Sequence, residues 1–210
     1  MLMALLVSPE VWAGKLDAVR AGLPSVQAVF MAGDAPPPAG TRAFAELERP
    51  GGTAPTAVAI DEWDVCAISF TSGTTGVPKG TMAMHLNATG CARNIAVAAK
   101  GLHADDINLC MPPLFHNTAV YTNFMPALLT GGTCVVMDAF APLDAIKLIE
   151  QERCTWAVAA PTMLWMMMNH PAFAAHDCST LKKILFGGHA ASETFIRELE
   201  ASFAPVAMVN

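Results

Sequence analysis

Charged residues are scarce in this sequence. Asp, Glu, Lys and Arg make up only 14% of its 210 residues, whereas typical globular chains carry roughly 25%. The formal net charge of −6 leaves no basic surface of the kind that binds nucleic acid, so we predict no nucleic-acid partner. Because hydrophobic residues make up 53%, part of the surface is expected to be covered by further chain or by a partner.

Long uninterrupted hydrophobic runs are also lacking, so we predict no transmembrane segment. The uncharged stretch from Cys110 to Met137 is broken by prolines and a Gly-Gly pair, and the apolar N-terminus lacks the basic residues that open a signal peptide. No Cys-x-x-Cys pair is present, and the six cysteines are scattered, several of them in apolar runs. These features predict buried reduced thiols, rather than disulfides or a metal site, and a cytoplasmic protein.

Short apolar strands alternate with helical patterns, which predicts an α/β fold with parallel or mixed sheets flanked by helices. Proline and glycine clusters at 33–40 and 50–55 set off a partial N-terminal subdomain over residues 1–60 from an α/β subdomain over residues 61–210. Predicted strands cover residues 2–7, 26–31, 65–70, 80–84, 107–111, 133–138, 155–159 and 182–186, and a last strand opens at Pro205. Predicted helices cover residues 9–21, 86–99, 118–129, 142–152, 162–169 and 192–203.

The most informative segment is the loop from Thr71 to Gly80. It combines Ser and Thr hydroxyls with glycines and Lys79, directly after a strand at 65–70 that we expect to be buried and to lead to the carboxyl edge of a sheet. Glycine lets backbone N–H groups converge on an anion, so the composition predicts a phosphate-binding loop. A flexible linker has a similar composition, but the strands on both sides argue against it. The Walker pattern fails because Pro78 stands where its second glycine is needed.

The run Thr-Ser-Gly-Thr-Thr-Gly-Val-Pro-Lys-Gly resembles the signature loop of the adenylate-forming superfamily, which includes acyl-CoA synthetases, amino-acid-activating domains of peptide synthetases and luciferase-like enzymes. Residues 80–87, 111–116 and 186–192 resemble further motifs of that family in the same order. The resemblance implies an AMP-forming acyl-CoA synthetase, as in fatty acid metabolism, that uses a carboxylic acid, ATP with Mg²⁺, and CoA. Acyl adenylate and pyrophosphate would form first, and the CoA thiol would then displace AMP.

The resemblance also implies roles for individual residues. It assigns the β- and γ-phosphates of ATP to Thr71, Ser72, Gly73, Thr74, Thr75, Gly76 and Lys79. It assigns the adenine side to Gly188, His189, Ala190 and Asn210. Lys79 and His116 are the implied catalytic residues, with His116 between the acyl pocket and the reacting carboxylate. Donors aimed at the departing pyrophosphate would stabilise the charge that it carries away.

Three residues bear on the acid substrate. His116 stands where amino-acid-activating relatives usually carry an Asp that pairs with the substrate ammonium, which argues against an α-amino acid. Asn117 is a candidate to bond a polar substituent, and Trp165, at the start of a Trp-Met-Met-Met run, is a candidate for the wall of an acyl pocket. Ordinary helix packing also accounts for a bulky apolar residue such as Trp165.

The resemblance covers nearly all of this chain but only the middle of the family's length. A Tyr-Gly-x-Thr-Glu segment, whose Tyr stacks on adenine and whose Glu helps hold Mg²⁺, would follow Asn210, so no metal ligand is assigned within the chain. The expectation is a truncated ligase that needs a missing C-terminal domain or partner chain. The alternatives are a nucleotide-binding fragment without turnover, part of a peptide-synthetase adenylation domain, and an inert product that aggregates through uncovered apolar faces.

Overall fold

A computed structural model describes residues 3–48, 57–71, 76–188, 190–205 and 207–209. The chain divides into two compact units, Met1–Val58 and Ala59–Asn210. Within the described ranges, no helix has the length and apolarity needed to cross a membrane. The predicted loop at 50–55 lies outside the described residues.

The first unit is a small parallel β-α-β arrangement. Its strands are β1 (Met3–Val7), β2 (Val26–Met31) and β3 (Arg42–Ala43), which lie in the order β1-β2-β3. A helical segment, α1 (residues 9–22), connects β1 to β2 and includes a π-helical turn at Trp12–Leu16. Trp12, Val29 and Met31 are buried in one cluster, so the unit has a hydrophobic core of its own. The structure confirms the strands and the helix predicted for this part of the chain.

The second unit contains the longer series of elements. Its strands are β4 (Val65–Thr71), β5 (Lys79–Met84), β6 (Ile107–Cys110), β7 (Thr133–Val136), β8 (Trp156–Ala159), β9 (Lys183–Phe186) and β10 (Ala207–Val209). Its helices are α2 (His85–Ala98), α3 (residues 117–130), α4 (Pro142–Glu152), α5 (Pro161–Met168) and α6 (Glu193–Phe203). The predicted bounds of these strands and helices lie within two residues of those observed.

Five parallel strands form the main sheet of this unit, in the order β10-β9-β8-β6-β7. Successive side chains of a strand point to opposite faces of the sheet, and apolar residues lie on both faces. On one face, Ile184 of β9 belongs to a buried cluster that includes Ile149 of α4 and Leu199 of α6. On the other face, Leu185 belongs to a buried cluster that includes Ala127 of α3. The sheet is therefore covered by helices on both sides, as predicted.

Helix α6 shows how local sequence sets these elements. Ser192 precedes it in an extended conformation, and the Ser192 Oγ accepts a hydrogen bond from the N–H of Phe195 at 3.2 Å, which caps the helix. Phe195, Leu199 and Phe203 recur at intervals of four residues and are all buried, so they form the stripe that packs on the sheet. The helix ends at Ala204, which adopts a left-handed conformation.

Strands β4 and β5 form a separate antiparallel ribbon, so the expectation of a buried strand at 65–70 that leads to the carboxyl edge of a sheet was wrong. Among the described residues β4 pairs with β5 alone, with Ile68 opposite Met82. The side chains of Ile68 and Phe70 are 58% and 74% exposed. An apolar strand pattern indicates that a strand is suited to burial, but it does not say which layer covers it.

The main sheet is interrupted between β6 and β8. Their ladder contains one residue pair, Asn108 with Trp156. Beyond this pair, the buried side chain of Asn123 in α3 takes the place of a strand: its Oδ1 accepts from the N–H of Val158 at 3.1 Å, and its Nδ2 donates to the Val158 carbonyl at 3.1 Å. Asn123 lies in a π-helical turn at Val120–Phe124. A carboxamide thus satisfies the backbone groups that the ladder leaves open at the carboxyl end of β8.

Candidate functional site

Three adjoining cavities lie where β6, β8 and β9 end, all within the second unit. Together they are called the cleft. The outer cavity, about 600 Å³, is lined by residues 68–71 of β4 and residues 115–117. The middle cavity, about 360 Å³, is lined by Pro112, Pro113, His116, Thr118, Ala160, Met163, Gly187 and Gly188. The inner cavity, about 330 Å³, is lined by Ile95, Ala98, Thr118, Thr122, Val158, Ala159, Leu185, Phe186, Gly187, Gly188 and Val209. His116 is shared by the first two cavities, and Thr118, Gly187 and Gly188 are shared by the last two.

His116 occupies the junction between the outer and middle cavities. It precedes α3, and its Nδ1 accepts a hydrogen bond from the N–H of Thr118 at 3.1 Å, so the imidazole caps the helix. A ring nitrogen that accepts a hydrogen bond carries no proton, so the neutral imidazole has its proton on Nε2. The exposed side chain of His116 therefore offers Nε2–H as a hydrogen-bond donor.

Asn117 lines the outer cavity beside His116 and is tied to the β4–β5 ribbon. The Ser69 hydroxyl of β4 donates to the Oδ1 of Asn117 at 2.8 Å. Its Nδ2 has no hydrogen-bond partner among the described residues. The outer cavity thus presents two donors, the Nε2–H of His116 and the Nδ2–H of Asn117.

The base of the predicted phosphate loop borders the outer cavity. Thr71 and Lys79 are paired across β4 and β5, and Thr71 lines the cavity. Gly76 has φ of +80°, a conformation that strains other residues, and nothing lies within 4 Å of where a Cβ would stand. Within the described part of the chain, Lys79 has no hydrogen bond or ion pair, so its ammonium is available to an anion. The other four predicted phosphate-loop residues, Ser72, Gly73, Thr74 and Thr75, lie outside the described residues.

The structure places the predicted adenine-side residues that it describes in different cavities. Gly188, with φ of +87°, lines the middle and inner cavities. Ala190 instead lines a separate cavity of about 260 Å³, together with Trp165, which is 52% exposed. His189 and Asn210 lie outside the described residues. The structure therefore brings Thr71, His116, Asn117 and Gly188 to adjoining cavities, whereas Trp165 and Ala190 share a different one.

Some residues of the cleft were missed by the sequence analysis. Thr118 and Thr122 follow His116 on one face of α3, and Met163 of α5 reaches the middle cavity. Their positions after predicted strands were a usable signal, because open α/β sheets bind ligands at that edge. Ser69 gave no such signal, since its partner Asn117 is 48 residues away.

Titratable groups with shifted pKa values lie mostly away from this cleft. Asp106 precedes β6, at the opposite end of that strand from His116; burial raises its pKa, but hydrogen bonds from Lys183 and Thr155 and the charge of Lys183 outweigh burial, so its pKa is lowered. Burial raises the pKa of Cys154 to about 12. Asp106 and Cys154 lie in the packed part of the second unit, and neither lines the cleft. No group of three or more His, Cys, Asp or Glu residues in the described ranges is arranged to hold a metal ion.

Comparison with known proteins adds independent findings. The family described as AMP-binding enzyme matches residues 2–210. A feruloyl-CoA synthase from an Amycolatopsis species is 40% identical over 125 residues, which cover 60% of this chain and 25% of that protein. An indoleacetate–CoA ligase from Aromatoleum aromaticum is 37% identical over 211 residues, which cover 98% of this chain and 39% of that protein. The crystal structure of an anthranilate CoA ligase in complex with anthranoyl-AMP shares the fold, with a TM-score of 0.87 at 23% identity, over 99% of this chain and 40% of that chain. The chain thus spans less than half the length of these relatives.

Proposed function

The chain belongs to the AMP-binding enzyme family, and from that premise we propose that it forms part of an AMP-forming acid–CoA ligase. The carboxylate of the acid attacks the α-phosphorus of ATP, the bond to pyrophosphate breaks, and the CoA thiol then displaces AMP from the acyl adenylate. The observation that carries the proposal is the junction at His116, where a donor-lined outer cavity meets the middle cavity and, through it, an apolar inner one.

We propose an aromatic carboxylic acid as the substrate. Two relatives are named for aromatic acyl groups, feruloyl and indoleacetate. Apolar side chains such as Ile95 and Leu185 line the inner cavity, whose volume falls within the range of small-molecule pockets. The ring would occupy the inner cavity, with the carboxylate toward His116. Asn117, which lines the outer cavity, is proposed to donate to a polar group of the bound substrates there. The lack of an acidic partner at His116 argues against the peptide-synthetase alternative.

The phosphate groups of ATP are proposed to bind at the base of the loop. Lys79 would attract the pyrophosphate portion, and Gly76 permits close approach of the backbone. The Nε2–H of His116 would donate to the carboxylate or to the oxygen that bridges it to the α-phosphorus. Gly188 is proposed to border the adenine. Mg²⁺, bound together with ATP, would offset the charge of the phosphates, and the described residues supply no cluster of ligands for it.

The remaining groups of the site are proposed to come from a further domain or a partner chain, because the relatives are much longer than this chain. We propose that the protein works in the cytoplasm, where its cysteines remain reduced. All six are free thiols in the structure, and Cys110, Cys154 and Cys178 are buried.

ATP–pyrophosphate exchange tests the ligase proposal, measured on this chain together with the further domain or partner chain that completes the site. The acid panel contains cinnamate, indoleacetate, octanoate and an α-amino acid. We expect exchange that depends on the aromatic acids and falls about 100-fold in Lys79→Met, because a charge that stabilises the departing pyrophosphate is lost. Lys147→Met removes an exposed lysine of α4 and serves as the matched control.

Two results would contradict the proposal in different ways. Binding of ATP without exchange for any acid would favour the nucleotide-binding fragment. Exchange that is strongest with the α-amino acid would favour the peptide-synthetase alternative.

A further inference from the structure

The β4–β5 ribbon carries the predicted phosphate loop at one end and continues into α2 at the other. The loop leaves the ribbon at the paired residues Thr71 and Lys79. At the far end, the N–H of Met84 donates to the Oδ1 of Asn87 in α2 at 3.2 Å. The ribbon is therefore anchored to a helix at the end that is remote from the loop.

Nearer the loop, the ribbon borders open space. Ile68, Phe70 and Met82 are exposed on one of its faces. Residues 68–71 line the outer cavity, of about 600 Å³. A further cavity, of about 270 Å³, is lined by residues of β5, α2 and α3, including Tyr121. A two-stranded ribbon is marginally stable without packing, so the position of the loop end depends on the contacts that remain.

Among the described residues, one hydrogen bond joins the ribbon to α3. It connects the Ser69 hydroxyl and the Asn117 carboxamide at 2.8 Å. Ser69 lies two residues before Thr71, so the bond is about 7 Å along the strand from the pair of Thr71 and Lys79. Asn117 directly follows His116 and is the first residue of α3. The bond thus links the base of the phosphate loop to the helix that His116 caps.

We propose that this bond makes Ser69 a positioning residue, which holds Lys79 in place relative to His116; the inference rests on the proposed function. Lys79 would stabilise the departing pyrophosphate, and His116 would donate to the carboxylate or to the bridging oxygen. Both groups therefore act on one transition state, and a group that is displaced from it loses much of its effect. A hydroxyl both donates and accepts, so the link is the same whichever carboxamide atom of Asn117 takes part.

Hydrogen exchange on the 210-residue chain tests the link itself. Ser69→Ala and Asn117→Leu remove it, and we expect the backbone amides of β4 and β5 to exchange about five-fold faster in either variant, the value of one hydrogen bond. Ser69→Thr and Asn117→Asp keep a hydroxyl that donates and an oxygen that accepts, so they should exchange as the wild type does.

Thr81→Val is the matched control for hydrogen exchange. Thr81 is paired with Ser69 across the ribbon, and its hydroxyl has no hydrogen-bond partner within the described part of the chain. Its removal should leave the amides of the ribbon unchanged. A Ser69→Ala chain whose ribbon exchanges hydrogen at the wild-type rate would overturn the inference, and so would equal acceleration in Thr81→Val.

ATP–pyrophosphate exchange shows whether the link acts through Lys79. It is measured with an aromatic acid on this chain together with the further domain or partner chain that completes the site. At saturating acid and ATP, we expect the rate of Ser69→Ala to fall about five-fold, and that of Ser69→Thr to remain at the wild-type value. The KM for the acid should not change, because the residues that line the inner cavity, such as Ile95 and Leu185, lie outside the ribbon.

A double-mutant cycle separates positioning from a general structural role. Ser69→Ala should have little further effect on the rate of pyrophosphate exchange once Lys79→Met is present, because the group that the link positions is then absent. An undiminished loss in the Lys79→Met background would overturn the inference.

Failure of the proposed function is distinguishable from failure of this inference. If the completed wild-type protein supports pyrophosphate exchange with no acid, the proposed function is wrong, and hydrogen exchange alone decides whether Ser69 holds the ribbon to α3. If the wild type supports pyrophosphate exchange and Ser69→Ala matches its rate, the proposed function stands and the positioning role of Ser69 is overturned.

Discussion

At the scale of single residues, Asp106 is a buried polar group that joins three parts of the main sheet. It is 7% exposed, and three groups donate to its carboxylate: the Lys183 ammonium at 2.7 and 2.9 Å, the Thr155 hydroxyl at 2.8 Å and the His103 N–H at 2.8 Å. Lys183 also donates to the Gly101 carbonyl at 2.9 Å. One carboxylate thus joins the residues just before β6 and β8 to the first residue of β9.

Replacing Asp106 tests this role. Asp106→Asn would leave the Lys183 ammonium partly buried without an anion, and we expect a loss of about 2–3 kcal/mol in the free energy of unfolding. Urea denaturation measures the difference. The exposed neighbour Asp105 provides the matched control, and Asp105→Asn should change stability by less than about 0.5 kcal/mol. Equal losses in both variants would contradict the assignment.

The same carboxylate predicts a dependence of stability on pH. Its folded pKa lies below the value of about 3.9 expected in an unfolded chain, so its stabilisation is complete above that value and is lost as the pH falls through the folded pKa. Between pH 6 and pH 3, the wild-type free energy of unfolding should therefore decrease more than that of Asp106→Asn. Parallel curves for the two chains would show that Asp106 does not contribute. Other carboxylates with lowered pKa values, such as Glu150, affect both chains alike.

At the scale of elements, the main sheet is interrupted between β6 and β8, next to the inner cavity. The side chain of Asn123 completes the hydrogen bonds of Val158, and Val158 lines the inner cavity. The π-helical turn of α3 delivers this side chain. A π-helical turn inside an α-helix is rare and frequently occurs at functional sites, which agrees with its position beside the cleft.

Removing the Asn123 carboxamide should therefore be costly. Asn123→Leu has a similar size but leaves the N–H and carbonyl of Val158 unpaired, and we expect a loss of about 2–4 kcal/mol in stability. Thermal and urea unfolding measure it. Asn169→Leu changes an exposed asparagine near the end of α5 and should have little effect. A stable Asn123→Leu chain would mean that β6 and β8 can close the gap themselves.

The β4–β5 ribbon differs from the main sheet in that one of its apolar faces is exposed. A two-stranded ribbon has marginal stability unless a hydrophobic face is packed, and the face with Ile68, Phe70 and Met82 is exposed. We expect backbone amides of the ribbon to exchange hydrogen roughly 100-fold faster than those of β8 and β9. Hydrogen-exchange mass spectrometry compares the two directly. Equal protection would indicate that something covers the ribbon in solution.

At the scale of the whole molecule, few charges and an exposed apolar ribbon act together. Charged residues amount to 14%, so little repulsion or hydration opposes contact between apolar faces of different molecules. We expect this chain to self-associate at micromolar concentrations. Ile68→Lys with Met82→Lys, two exposed positions paired across the ribbon, should raise the monomer fraction in sedimentation velocity. The control Val97→Lys charges an exposed site on α2, and an equal gain from it would show that the ribbon is not the contact.

The sequence by itself determined which segments form strands and helices and where the candidate site begins. Apolar periodicity, caps such as Ser192 and breakers such as Gly131 act over a few residues, so their consequences are local. The alternation of strands and helices also predicted a parallel sheet covered by helices on both faces. That arrangement places His116 beyond the carboxyl end of β6.

Only the tertiary structure decided which layer each strand joins and which side chains meet. The apolar pattern of β4 is the same for a buried strand as for one in an exposed ribbon, and pairing with β5 settled the matter. Ser69 meets Asn117, and Asn123 meets Val158, across 48 and 35 residues of chain, so no local pattern predicts either contact. Trp165 and Ala190 line a separate cavity. The sequence did not predict this, because the cavity that a side chain reaches depends on how the neighbouring helices pack.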